Sequence, residues 1–409
     1  MKLVRAGATL FSVMLISQLM IPQAVADLDD GYPKDQPAPG RTCPNSELGA
    51  ETISSFNSKT FVCTDINGVK KWWIKGEPLP VAPTAPTPQA PSGSTPSTVN
   101  KEEVKANDNL PPEVTHSYLL PAKSIAKMKV YEDVVYATAS KSQHLDIYLP
   151  KGVKNPPLMV WTFGGGFVFG SENALKFDEP AKLLEVFIKN GIAVASVNYR
   201  LATEAMYPAG AQDTKMAIRF LRANASKYGY NPKKFATGGD SAGAYLALMA
   251  AFTGNQKTLF DNPSDPNLKT SAAVSAVFDL FGNSNFVTMA ENKVKYPCKV
   301  ADPYANMGDP NMHPWFGDIS KPEVKAQLDS GNLYPYLKTL KPLPTVYIFH
   351  GKADCSVNEH DSIELDKVVK SLKGTSYLYL IPDEIHGGPK IWVQAMKQVP
   401  ALAKKLSQK

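Results

Sequence analysis

Short, almost wholly apolar runs at 145–149, 158–163, 192–199, 235–238, 274–280, 345–349 and 376–381 alternate with longer stretches at 179–189, 211–228, 241–252, 363–372 and 391–406, whose apolar residues recur at helical spacing. A run of four to eight apolar residues between turn-forming residues predicts a strand with both faces covered. Strands of that kind alternating with helices predict a mostly parallel sheet flanked by helices on both sides. The segment 283–333 breaks the rhythm. It carries Pro297, Pro303, Pro310 and Pro314 and reads as an irregular insertion, with Trp315 and Phe316 as candidate pocket-lining aromatics.

Upstream of this region the pattern changes twice. Lys2 and Arg5 precede an apolar run over 6–21, which ends in Ala24-Val25-Ala26 and gives way to Asp27, Asp29 and Asp30. A charged start, a short apolar core and small residues at a cleavage point predict a secretory signal peptide over 1–26, and with it a secreted or cell-envelope protein. The stretch 78–98 is crowded with Pro, Ala, Thr and Ser, which cannot bury apolar surface and predict an extended linker. The expected organisation is therefore a signal peptide at 1–26, a small module at 40–76, a linker at 77–105 and a catalytic-sized domain at 106–409.

Composition adds limits. The hydrophobic share of 43% suits a packed core, and 44 basic against 38 acidic residues leave a net charge of +6 with no long basic run. Neither a basic stripe nor an associated motif points to nucleic acid, so no nucleic-acid partner is expected. The four cysteines of an exported chain suggest two disulfides. Cys43 with Cys63 would close the small module, and Cys298 with Cys355 would tie the insertion to the loop beside Asp354; reduced, buried thiols are the alternative. Trp72 and Trp73 either complete a tiny apolar cluster or stack on sugar rings of a wall polymer.

The chemistry gathers at three strand ends. Gly239-Asp240-Ser241-Ala242-Gly243 stands where an apolar run passes into a helix, so Ser241 would sit on a sharp turn with its hydroxyl exposed above a helix N-terminus. The run Phe163-Gly164-Gly165-Gly166-Phe167 leaves another strand end with its main-chain N–H groups unhindered, as an oxyanion pocket requires. Asp354 follows the run 345–349, and His386 follows 376–381. Asp279, Asp361, Asp383 and Glu384 compete with Asp354 for the acid position. His116, His144 and His313 lie outside any motif, and His350 reads as an organiser of the turn that presents Asp354. No metal-ligand spacing is found, and a zinc set of His350, Asp354 and His386 matches no known motif.

The order Ser, Asp, His along the chain matches the α/β-hydrolase arrangement. Residues 120–405 resemble an α/β-hydrolase esterase of the hormone-sensitive-lipase and feruloyl-esterase-like (BD-FAE) type. The likeness rests on Leu145-Asp146-Ile147-Tyr148-Leu149-Pro150, the glycine run with Gly170-Ser171, Val197-Asn198-Tyr199-Arg200-Leu201, Tyr207-Pro208-Ala209 with Asp213, the Ser241 pentapeptide, Ala276 to Gly282, and the Asp354 and His386 loops. The resemblance implies Ser241 as nucleophile, Asp354 as acid and His386 as base, with Gly165, Gly166 and Ala242 as oxyanion donors and no metal or organic cofactor. The family usually has His before the three glycines; here Phe163 takes that place, and Ala244 stands where a further glycine is common.

The expected function is thus a secreted serine esterase acting through an acyl-enzyme on a small-molecule or polymer-linked ester, with a cell-wall or polysaccharide contact through the N-terminal module. A prolyl-oligopeptidase-type peptidase shares fold and triad. A non-catalytic wall-binding protein on a hydrolase scaffold is the alternative from another class.

Overall fold

The structure is a computed structural model and describes residues 51–53, 60–66, 69–74, 116–297 and 312–408. It divides into two units, Met1–Ser97 and Thr98–Lys409. In the first, β1 (Glu51–Ile53), β2 (Thr60–Ile66) and β3 (Val69–Ile74) form an antiparallel three-stranded sheet in which Cys63 pairs with Trp72. The expected signal peptide, the linker, Cys43 and Cys298 lie outside the described residues. Cys63 and Cys355 are both disulfide-bonded.

The second unit is built on β4 (Met128–Val135), β5 (His144–Pro150), β6 (Leu158–Thr162), β7 (Ala193–Val197), β8 (Phe235–Asp240) and β9 (Ala276–Leu280). A short hairpin of β10 (Met312–His313) and β11 (Gly317–Asp318) intervenes before β12 (Thr345–Gly351) and β13 (Ser376–Ile381). Eight strands form one sheet in the order β13-β12-β9-β8-β6-β7-β5-β4. Pairing is parallel from β13 through to β7; β5 on β7 and β4 on β5 are antiparallel.

The helices are α1 (Ala122–Ile125), α2 (Asp178–Lys189), α3 (Ala209–Ala223), α4 (Ala225–Tyr228), α5 (Ala242–Thr253), α6 (Phe286–Lys295), α7 (Pro322–Ser330), α8 (Tyr334–Thr339), α9 (Glu359–Ser371) and α10 (Pro389–Ser407). Side chains alternate across each strand, so β6 sends Val160 to one core and Met159 and Trp161 to the other. The first core packs the sheet on α3, α5 and α9 through Ile218, Leu246 and Leu365; the second packs it on α2 and α10 through Phe187 and Trp392. Every residue of α5 is buried, which explains why this helix is apolar on all sides.

Two features depart from the sequence expectation. β4 has no apolar run because it is the outer strand, half exposed and carrying Lys129, Glu132 and Asp133. The stretch 283–333 is not irregular throughout: α6 starts at an Asn285 cap and α7 at Pro322, a residue that suits a first helical turn. Residues 298–311 of that stretch lie outside the described residues. Among the described residues no helix is long and apolar enough to cross a membrane.

Candidate active site

Parallel strands bring their carboxyl ends to one edge, and the loops that leave β6, β8, β12 and β13 there carry the candidate chemistry. The sharpest turn is at Ser241, between β8 and α5. Its backbone is held at φ 51° and ψ −121°, a conformation that costs a non-glycine residue on the order of 1–3 kcal/mol. Close packing enforces it. A Cβ on Gly239 would lie 2.5 Å from the Gly243 carbonyl and from the Thr162 oxygen, and one on Gly243 would lie 2.1 Å from that same oxygen. Only glycines let the helix start so near the sheet. Thr162 Oγ1 donates to the Gly243 carbonyl at 2.7 Å and the Ser241 N–H to the Leu280 carbonyl at 2.9 Å, fixing both sides of the turn.

Ser241, His386 and Asp354 meet, although they are far apart in sequence. His386 Nε2 lies 2.9 Å from Ser241 Oγ, and His386 Nδ1 lies 2.7 Å from Asp354 Oδ2. Asp354 is buried, and its Oδ1 accepts the N–H groups of Ser356 and Val357 at 2.9 and 3.0 Å. Burial alone would raise its pKa. The facing imidazoles of His386 and His350, with their hydrogen bonds, outweigh that cost and hold the carboxyl far below its ordinary range. The competing acids sit elsewhere: Asp361 accepts from Asn292, Asp279 accepts from the Gly282 N–H, and Glu384 pairs with Lys390 while its carbonyl accepts from Ala353. Burial pushes Asp279 and Asp361 each up to about 7.

His350 lies behind the carboxylate. Fully buried, its Nε2 is 3.2 Å from Asp354 Oδ2 and 2.9 Å from the Val357 carbonyl, and its Nδ1 is 2.7 Å from Ser362 Oγ. It braces the turn that presents Asp354. Phe281 and the His386 ring meet edge to face at a centroid distance of 4.9 Å, limiting how the imidazole can turn. Sequence reasoning misses Phe281; its only signal is its place directly after β9.

On the β6 loop, the Gly164 N–H donates to Asp240 Oδ2 at 3.1 Å, tying the glycine run to the Ser241 turn. Gly165 takes φ +107°, and a Cβ there would collide with the Phe169 carbonyl at 2.1 Å. Among the described residues, the N–H groups of Gly165, Gly166 and Ala242 have no acceptor. Phe163, where the family usually has His, stacks on Tyr199 at 4.4 Å, and the Tyr199 hydroxyl donates to its carbonyl at 3.0 Å. Packing and one hydroxyl thus hold a loop that an imidazole would otherwise organise. Ala244 closes in on Gly282: a Cβ on Gly282 would lie 2.5 Å from the Ala244 Cβ.

Beyond the loop, Phe167 stacks on Trp315 at 4.0 Å, and Tyr245, Phe286 and Phe316 extend the aromatic cluster. Trp315 and Phe316 are 0% and 3% exposed, so they back the wall of the site and do not surface it. His313 sits in the same cluster, and burial pushes its pKa down to about 4. The arrangement as a whole offers a hydroxyl, an imidazole able to take its proton, a carboxylate to orient that imidazole, and open amide donors beside an apolar wall.

Comparison with known proteins finds esterases. The BD-FAE family model matches residues 145–369. Among curated proteins, the carboxylesterase NlhH of Mycobacterium tuberculosis is 32% identical over 132 residues, which cover 32% of this chain and 40% of that protein. The esterase LipQ of the same organism is 27% identical over 164 residues, 38% of each. The chain thus spans about two fifths of the length of these relatives. Among solved structures, a truncated carbohydrate esterase from gut microbiota superposes with a TM-score of 0.58 at 26% identity, covering 70% of this chain and 99% of that one. A bifunctional GH43-CE protein of Bacteroides eggerthii gives 0.56 at 23% identity, over 68% and 35% of the two chains.

Proposed function

Since the chain belongs to the BD-FAE family, we propose that it is a serine carboxylic ester hydrolase working through an acyl-enzyme. The observation that carries this reading is the unbroken relay from Ser241 Oγ through His386 to Asp354, at 2.9 and 2.7 Å. His386 takes the Ser241 proton on Nε2 as Oγ attacks the ester carbonyl. The oxygen that becomes negative faces the N–H groups of Gly165, Gly166 and Ala242, each such donor being worth about 3 kcal/mol. Asp354 holds the proton on Nδ1 and stabilises the imidazolium. As the tetrahedral carbon collapses, the imidazolium gives its Nε2 proton to the leaving alkoxide and alcohol departs. Water repeats the sequence on the acyl-enzyme, freeing the acid and returning the proton to Ser241.

The same proposal takes the substrate to be a small acyl ester or an acylated polysaccharide. The carbohydrate esterase among the structural relatives supports the second form, and a polymer contact through the amino-terminal module belongs to the same proposal. Export through the 1–26 leader completes the picture. A fluorophosphonate probe is expected to label Ser241 in purified protein and to abolish turnover; an unlabelled serine in folded protein would reject the mechanism. A short acyl p-nitrophenyl ester is expected to turn over faster than a prolyl amide, and the reverse order would make the chain a peptidase.

A further inference from the structure

At the opposite side of the sheet from β13, the antiparallel edge gathers a second group of imidazole and carboxylates. Between Tyr131 and Val134 the register of β4 on β5 slips, and Asp133 takes φ 53° at that irregularity. The slip turns Asp133 toward His144 on β5 and toward Glu172, which opens the 3₁₀ turn Glu172–Lys176. One ligand atom from each of the three lies within 4.8 Å of the others.

The hydrogen bonding around these atoms is unusual. His144 Nδ1 lies 2.8 Å from the Lys141 carbonyl, so Nδ1 carries the proton of the neutral ring and Nε2 presents a lone pair. His144 Nε2 lies 3.3 Å from Glu172 Oε2. Glu172 is 4% exposed, and its buried Oε2 has no hydrogen-bond donor, while Oε1 accepts from Asn173 Nδ2 at 2.8 Å. The Asp133 carboxylate likewise has no donor among the described residues; only its main-chain N–H is engaged, with Asp146 Oδ1 at 3.0 Å. The nearby cation Lys176 is committed to Asp146 and Glu132, at 3.1 and 3.0 Å. A buried carboxylate oxygen with no hydrogen-bond donor is costly unless a positive species lies beside it.

We propose that Asp133, His144 and Glu172 form a binding site for a divalent transition-metal ion, Zn²⁺ being the ion whose ligand preferences they match. Imidazole nitrogen and carboxylate oxygen are both zinc ligands, and three of them leave a fourth position for water. Bonds of about 2.0–2.2 Å around a tetrahedral ion separate its ligand atoms by roughly 3.4 Å, close to the 3.3 Å between His144 Nε2 and Glu172 Oε2. Rotation of the exposed Asp133 closes the third side. The Lys141 carbonyl supplies the outer hydrogen bond that fixes the tautomer of a metal-bound histidine. The ion would clamp the outermost strand to the 3₁₀ turn and takes no part in the reaction above.

The test uses full-length protein stripped with EDTA and desalted, titrated with Zn²⁺ by calorimetry, with Ca²⁺ titrated in parallel. One equivalent of Zn²⁺ is expected to bind, and Asp133→Asn and Glu172→Gln are each expected to weaken that binding at least about tenfold. Equal zinc binding by the variants means an adventitious ion only and overturns the site. Absence of zinc binding, or binding of Ca²⁺ alone, overturns it as well and leaves a proton as the positive species between His144 and Glu172. Should Glu172→Gln fail to fold, the exposed Asp133→Asn decides by itself.

Discussion

The Ser241 edge and the Asp133 edge of the same sheet use the same side-chain types to opposite ends. At Ser241, every ring nitrogen of His386 has a complementary partner, and Asp354 receives two main-chain N–H groups and the imidazoles of His386 and His350. At Asp133, a buried carboxylate oxygen of Glu172 lies 3.3 Å from His144 Nε2 and has no hydrogen bond. A saturated carboxylate stays ionised and can orient a proton in transit, whereas an unsaturated pair calls for a cation. Which residues are present matters less than how their protons and lone pairs are distributed.

The largest effect that would sharpen this contrast is at the nucleophile. Ser241→Ala is expected to reduce ester turnover by at least about 10⁴-fold with the fold unchanged by circular dichroism; residual activity above one part in a hundred would break the assignment. Asp354→Asn keeps the shape but not the charge, and should cost about 10³- to 10⁴-fold in kcat because His386 loses its preferred tautomer. His350→Gln touches only the brace behind Asp354. A loss between about tenfold and 10²-fold in kcat with little change in KM is expected from displacement of the carboxylate, and an altered acid limb of the kcat–pH profile would separate positioning from general destabilisation. An unchanged kcat would remove His350 from the account.

A smaller effect is on stability. Asp279 keeps its proton up to about pH 7 in the folded chain, against an ordinary value of 3.8. Folding therefore takes up a proton between those values, and this group's contribution is full below about pH 4 and lost as pH rises through about 7. Asp279→Asn should leave Tm unchanged at pH 4 and raise it at pH 8, flattening the profile; a parallel shift at both pH values would contradict the buried, protonated carboxyl. Smallest of all, Glu172→Gln should leave kcat within about twofold of the parent, since sites with no shared partner act independently. A larger fall would join the two edges into one functional unit.

Particular elements show how legible the chain was. The strand β12 and the helix α5 stood out because burial on all sides leaves uninterrupted apolar residues. The edge strand β4 did not, since half of it faces water and its charged positions hide the pattern. His350 was readable as a brace from its place before Asp354, whereas only its place directly after β9 marks Phe281, the ring that meets His386. His144 carried no signal at all, because its partners come from a slipped register and a separate turn.

By itself the sequence determined the alternation of strand and helix, and with it the layered architecture, because periodicity and turn residues act over a few neighbours. It also determined the Ser241 turn, where glycines must stand on both sides for the helix to approach the sheet. Only the tertiary structure decided that Asp354 and not Asp279 or Asp361 meets His386, that Trp315 is buried behind Phe167, and that Asp133, His144 and Glu172 converge. Those outcomes depend on strand order and register, which bring together residues tens to more than a hundred positions apart and leave no mark in the local pattern of either partner.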